Sequence, residues 1–144
     1  ILKITHHVGY GTFKPIKSDS IDSHKMHSET YVIDSKTANA LNEAKKNKKR
    51  LIAVGTTVSR ALESAFKNDQ FIAGKSNTSL FIKPGYKFKA INGLISNFHL
   101  PKSTLIILVS TLAGIPLIKE AYRIAITEKY KFYSFGDAMF ISND

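Results

Sequence analysis

Asn97-Phe98-His99-Leu100-Pro101-Lys102-Ser103-Thr104 runs directly into Leu105-Ile106-Ile107-Leu108-Val109, which sets a polar octet against the most apolar run of the chain. No charge follows until Lys119. Such a run requires burial in a core or against a partner, so the octet sits at a core's edge. Pro101 lacks an N–H and biases Leu100 away from the α region, and Ser103 or Thr104 is suited to cap the helix that follows. The stretch therefore reads as a loop entering a buried helix, whose free first-turn N–H groups can face an anion or a polar ligand. A single histidine beside a proline is more often packed and hydrogen-bonded than catalytic, so His99 assigns no chemistry on the octet alone.

Downstream, the apolar helix stops at Gly114, and Pro116 suits the first turn of a second helix with Leu117, Ala121, Ile124 and Ala125 as its core stripe. Residues 130–135 read as extended and aromatic. Tyr130, Phe132, Tyr133 and Phe135 beside Lys129 and Lys131 could stack bases, but their alternation favours half core and half surface. Asp137 is a candidate to hydrogen-bond a ligand or cap a loop, and 138–141 closes as a final strand.

Upstream, Leu51-Ile52-Ala53-Val54 has the character of a buried parallel strand, breaking at Gly55-Thr56-Thr57 before a helix over 59–66. The two hydroxyls and the helix N–H groups there can hold a carboxylate or ribose, with Arg60 reaching over them or pairing with Glu63 on its own helix. Residues 68–77 read as a surface loop, 79–82 as a strand closed by Pro84-Gly85, and 87–91 as a further short strand. At the start, 2–8 alternates like a half-buried strand, and Gly9-Tyr10-Gly11-Thr12-Phe13 offers two glycines where backbone N–H groups can approach a ligand; a tight turn reads equally well, because the three-glycine dinucleotide spacing is absent. His24 and His27, followed by Glu29, stand at a spacing that two imidazoles on a helical turn could use for a metal, but no third ligand at suitable spacing supports it. A strand over 30–33 and a helix from Asp34 or Ser35, with Ala38, Leu41 and Ala44 on one face, complete the pattern. Strands alternating with helices give an α/β class with a mixed sheet and flanking helices.

A chain of 144 residues and 16.0 kDa suits one domain with a normal core. The absence of cysteine excludes disulfides, thiolate metal sites and thiol nucleophiles. The longest apolar run is short for a membrane span and contains Gly114 and Pro116, and no secretion signal opens the sequence, so the expectation is a soluble cytoplasmic protein with no membrane partner. The chain begins at Ile1 within a strand-like pattern and reads as a piece of something longer. Its formal charge of +10, from 21 basic against 11 acidic residues, favours polyanions such as RNA. Part of that excess is Lys45-Lys46-Asn47-Lys48-Lys49-Arg50, which equally suits a solvated helix C-terminus.

The segments His7-Val8-Gly9-Tyr10-Gly11-Thr12-Phe13, Met26-His27-Ser28-Glu29-Thr30-Tyr31, Ala53-Val54-Gly55-Thr56-Thr57, Arg60-Ala61-Leu62-Glu63-Ser64, Pro84-Gly85-Tyr86, the octet 97–104 and Phe135-Gly136-Asp137-Ala138-Met139 resemble, in order, the S-adenosylmethionine:tRNA ribosyltransferase-isomerase family of the queuosine pathway. The resemblance implies the C-terminal portion (1–144) of a large, barrel-like α/β catalytic domain, without the N-terminal part and its inserted β-barrel. It implies transfer and isomerisation of the ribosyl unit of S-adenosylmethionine onto 7-aminomethyl-7-deazaguanine at the tRNA wobble position, giving epoxyqueuosine, adenine and methionine. The sulfonium compound is then a substrate, and neither a metal nor a separate cofactor is expected. His27 and His99 are the expected proton-transfer groups, with Glu29 and Asp137 orienting them or serving as alternates. Gly9, Gly11, Thr12, Phe13, Gly55, Thr56, Thr57 and Asn97 are expected to bind the donor, with Arg60 and Lys102 as anion partners. The full-length protein is expected to be a monomer acting on tRNA. Two readings compete: a basic RNA-binding module without catalysis, and a metal hydrolase using His24, His27 and His99.

Overall fold

β2 (Glu29–Ile33) pairs on both edges as the middle strand of an antiparallel sheet, between β1 (Thr5–His7) and β6 (Gly74–Thr78), and the alternation of its side chains buries Glu29, Tyr31 and Ile33 on one face. The computed structural model describes residues 1–9, 16 and 20–142; the expectations for Gly11, Thr12 and Phe13 fall outside them. Tyr31 stands opposite His6 on one side and Ser76 on the other. Asp34 leaves the strand in extended backbone, and its carboxylate accepts the Thr37 N–H at 2.6 Å, capping α1 (Ser35–Lys46). Ala38 and Leu41 are buried, and Lys45 and Lys46 occupy the last turn, where cations complement the carbonyl end.

A second sheet positions the site. β3 (Ile52–Val54) runs parallel to β7 (Gly93–Asn97), and β8 (Ala138–Ser142) lies antiparallel on the other edge of β7. Between β3 and β7 the chain forms α2 (Thr56–Ala65), the hairpin β4 (Phe66–Lys67) and β5 (Gln70–Phe71), and then β6. Between β7 and β8 it forms α3 (Thr104–Ala113) and α4 (Ile115–Thr127). Ala53, Leu94 and Ile141 face Ala61, Leu62, Leu108, Val109 and Leu112 in a core that also takes in Tyr31 and Ile33 of the first sheet. The opposite face of the second sheet carries Val54, Ile95 and Phe140 in one row, all exposed. The mixed α/β class is thus present, with helices covering one side of this sheet. No single helix among the described residues is long and apolar enough to cross a membrane, and α3 and α4 together bend by 114°.

Several local expectations are corrected. α2 begins at Thr56 and not at residue 59, because Gly55 takes φ +96° and turns the chain straight from β3 into the helix. Residues 68–77 are not a surface loop: Asn68 and Asp69, both at positive φ, form the two-residue turn of the β4–β5 hairpin, and β6 follows. Residues 79–82 and 87–91 are not strands. β3 is parallel, as expected, but only Ala53 is buried. In α4 the buried residues are Ile118 and Ala125, whereas Leu117 is 62% and Ile124 45% exposed. Apolar residues surround that helix, so their spacing does not choose a face; packing on α3 does. Within 130–135 the chain makes a 3-10 turn at Tyr133–Phe135.

The segment 86–91 lacks strand partners because Glu63 satisfies its backbone. The buried carboxylate accepts N–H groups of Lys89 (3.0 Å), Ala90 (3.0 Å) and Ile91 (3.2 Å) and the Tyr86 hydroxyl (2.9 Å). Burial, and the neighbouring Glu63 charge, push the Tyr86 phenol above its ordinary value. Removing the carboxylate leaves four donors to be satisfied elsewhere. Glu63→Ala is expected to destabilise the fold by about 3 kcal/mol or more, read as a lowered urea midpoint; an unchanged midpoint would show that these bonds do not hold the segment.

Candidate functional site

Parallel pairing brings the C-terminal ends of β3 and β7 to the same edge, and the Gly55 N–H donates to the Ile95 carbonyl at 2.8 Å to fix the junction. Gly55 caps α2 without a side chain, so the first-turn N–H groups are not consumed by a capping oxygen. At the neighbouring strand end the chain runs through Ser96, Asn97, Phe98 and His99 into Ser103. The Ser103 hydroxyl accepts the Ile106 N–H at 3.3 Å and donates to the Leu100 carbonyl at 2.7 Å, starting α3 where its sequence suggested.

Between these two strand ends lies an open cavity of about 410 Å³, lined by Val8, Gly55, Thr56, Thr57, Ser96, Asn97, Phe98, His99, Leu100, Ser103, Leu105, Tyr133 and Ser134. Its volume suits a nucleoside-sized ligand. Five of the expected residues therefore meet: Gly55, Thr56, Thr57, Asn97 and His99.

The His99 ring is held, not free. Its Nε2 lies 2.8 Å from the Ser96 hydroxyl, and the His99 backbone N–H donates to the Tyr122 hydroxyl at 2.7 Å. Burial pulls its pKa down to about 4, so the imidazole is neutral near neutral pH. The buried Phe98 next to it packs on the half-buried Tyr122 and Phe132 at ring separations of 5.2 and 4.9 Å. The Asn97 amide donates to the Gly136 and Asp137 carbonyls, both at 3.3 Å, and the Tyr133 N–H donates to the Phe98 carbonyl at 3.1 Å. These bonds staple the 131–137 loop to β7 and bring Tyr133 and Ser134 to the rim. A side chain at Gly136 would lie 2.3 Å from the Lys131 carbonyl oxygen, so the loop admits only glycine there.

The other expected residues that the structure describes do not line the cavity. Asp137 is exposed, and its carboxylate braces the loop by accepting the Lys131 N–H at 2.7 Å. Lys102 is exposed at φ +58°, and its carbonyl accepts the Ile16 N–H. His27 is exposed, and His24 meets the Phe81 ring edge-on at 5.3 Å. Among the described residues no three His, Asp or Glu side chains are grouped to hold a metal.

Glu29 and Arg60 are both buried and paired, with Arg60 Nη1 2.5 Å from Glu29 Oε2. Arg60 Nε also donates to the Leu80 carbonyl at 3.0 Å. Arg60 is thus neither poised over the cavity nor paired with Glu63, whose oxygens are occupied by the 86–91 segment. Glu29 Oε1 accepts the Gly9 N–H at 2.9 Å, which ties down the residue after Val8, and His6 Nε2 lies 3.4 Å away. Ser96 and Tyr122 escaped the sequence reading, and Tyr133 entered it only as one of an aromatic cluster, not as a residue of this cavity. Ser96 at three residues before His99 was its only available signal, and the tyrosines arrive from distant elements.

The chain is thus a mixed α/β domain with a cavity at the C-terminal ends of two parallel strands, walled by a helix start and a neutral histidine, the place where open α/β sheets commonly take small molecules. The chain belongs to the queuosine biosynthesis protein family, whose sequence profile matches residues 1–141. It is 56% identical over 139 residues to the S-adenosylmethionine:tRNA ribosyltransferase-isomerase of Caldanaerobacter subterraneus subsp. tengcongensis, covering 96% of this chain and 41% of that protein. It is 51% identical over 144 residues to the protein of the same name from Natranaerobius thermophilus, covering 99% and 42%. The crystal structure of an S-adenosylmethionine tRNA ribosyltransferase from Thermotoga maritima superposes with TM-score 0.74 at 42% identity, over 78% of this chain and 40% of that one. The chain therefore spans about two fifths of the length of these relatives.

Two outcomes are expected. Arg60→Met strands a buried carboxylate and should cost about 3–5 kcal/mol, most of it recovered in Arg60→Met/Glu29→Leu, in a urea-denaturation double-mutant cycle; additive losses would show the pair to be uncoupled. His99 is protonated at its ordinary 6.5 when unfolded but only at about 4 when folded, so the stability it contributes is complete above about 6.5 and is lost as pH falls towards 4. His99→Gln should flatten that limb of the stability curve, and ¹⁵N spectra should show a neutral ring at about pH 6.

Proposed function

We propose that this chain forms the C-terminal part of the large α/β catalytic domain of an S-adenosylmethionine:tRNA ribosyltransferase-isomerase. Its cavity receives the sulfonium donor, and the reaction places the ribosyl unit on 7-aminomethyl-7-deazaguanine of tRNA, forming epoxyqueuosine with release of adenine and methionine. The observation that carries this reading is the meeting of Gly55, Thr56, Thr57, Asn97 and His99 around one cavity in a chain more than half identical to a relative of that name. The first turn of α2 and its threonine hydroxyls suit a carboxylate or ribose. A neutral imidazole suits the base role: the adjacent sulfonium acidifies the C5′ proton, His99 accepts it, and the imidazolium so formed has a proton to return to departing adenine. Ser96 orients the ring. No metal or separate cofactor is needed, because the sulfonium compound is itself consumed. The complete protein acts as a cytoplasmic monomer.

The test uses a full-length chimera in which this chain replaces the matching segment of the Caldanaerobacter relative. Calorimetry should register S-adenosylmethionine binding, and the chimera should modify tRNA carrying the deazaguanine base. tRNA binding without donor binding would favour a non-catalytic RNA-binding module instead. His99→Ala should lower kcat by about a hundredfold or more, while His27→Ala, outside the cavity, should keep near-normal turnover; unimpaired His99→Ala would remove the histidine from the chemistry.

A further inference from the structure

The sequence run richest in basic residues leads into the other end of the β3–β7 pair from the cavity. α1 ends in Lys45-Lys46-Asn47-Lys48-Lys49-Arg50, immediately before β3, and the segment carrying Lys87 and Lys89 immediately precedes β7. Three features build one surface from these distant stretches. Glu63 grips the backbone N–H groups of residues 89–91, which fixes Phe88 inward and leaves Lys87 and Lys89 exposed. Lys45 Nζ donates to the Lys89 carbonyl at 2.5 Å and sits 5.1 Å from the Phe66 ring centre, locking the two stretches together. Lys46 and Lys89 then share one open depression, where the acids are Glu43 and Asp69. A helix C-terminus accounts for Lys45 and Lys46, but it does not account for Lys89, which a buried carboxylate fixes beside them, with exposed Lys87 two residues before it.

We propose that this face, the C-terminal end of α1 with the 87–89 segment, is a docking surface for the sugar-phosphate backbone of the tRNA. The proposal rests on the functional reading above and extends it. Strand rise places the face about 13 Å from the cavity along β3, so it grips a part of the RNA other than the nucleotide being modified. Phosphate contacts of this kind add affinity without sequence information and release counterions.

The test compares two triple variants of the full-length chimera with equal charge change: Lys46→Gln/Lys49→Gln/Lys89→Gln on the face, and Lys36→Gln/Lys75→Gln/Lys119→Gln elsewhere on the surface. The probe is unmodified tRNA, titrated by fluorescence anisotropy across a salt series. The face variant should bind at least tenfold more weakly at physiological salt, and its slope of log K against log salt should be smaller by about two to three. The control should change little. KM for tRNA should rise in the face variant while kcat at saturating tRNA and the affinity for S-adenosylmethionine hold. Equal losses in the two variants would overturn the proposal in favour of overall charge. So would unchanged tRNA binding by the face variant, whether or not it loses binding to vesicles rich in anionic lipid. If the chimera fails to transfer ribose yet binds tRNA through this face, the functional reading falls and the docking surface stands.

Discussion

The parallel pairing of β3 with β7 is the constraint on which the rest of this structure depends. Two strands that run the same way must end at the same edge, and here each end turns directly into a helix: β3 through Gly55 into α2, β7 through the 97–103 loop into α3. Apart from Val8, the described residues that line the cavity belong to those two strand ends, turns and helix starts or to the 131–137 loop stapled to β7. An antiparallel arrangement would have put Thr56 and His99 at opposite ends of the sheet. The same geometry sends the two stretches that precede these strands, both lysine-bearing, to the far edge, so one pairing separates a near-neutral cavity from a basic face.

Buried charge acts as bracing in this fold. Glu29 and Arg60 pair with each other and hold the Gly9 N–H beside the cavity and the Leu80 carbonyl. Glu63, three residues along the same helix, holds a strandless segment in place through its backbone. Such carboxylates stabilise only while all their partners are present, because an unpaired charge in a low-dielectric interior is costly. α2 thus does two jobs: its first turn faces the cavity, and its buried polar side chains anchor the neighbouring sheet and the 86–91 segment.

His99 owes its state to the same economy of burial. The ring is kept neutral by its surroundings and oriented by Ser96, while its backbone is fixed by Tyr122. The preceding residue, Phe98, is fixed in turn by its ring contacts with Tyr122 and Phe132. The exposed row Val54, Ile95 and Phe140 shows that the sheet has a second apolar face, which the helices among the described residues leave uncovered.

The sequence by itself determined the elements whose cause is local. The octet and its apolar run specified a capped helix start, Asp34 a second one, Gly114 and Pro116 a helix break, and the strand ending at Gly55 a turn into α2; the ordered motifs also pointed to the family. These features are decided by backbone sterics and capping within a few residues. Tertiary structure alone decided the rest. The sequence could not show that Arg60 would be taken by Glu29 and not by Glu63 or a ligand, that Asp137 would brace a loop, or that Glu63 would replace a strand partner for residues 89–91. Nor could it show which of the apolar positions around α4 would be covered. Each of those outcomes depends on contacts between residues far apart in the chain, whose burial exists only once the two sheets and the helices share a core.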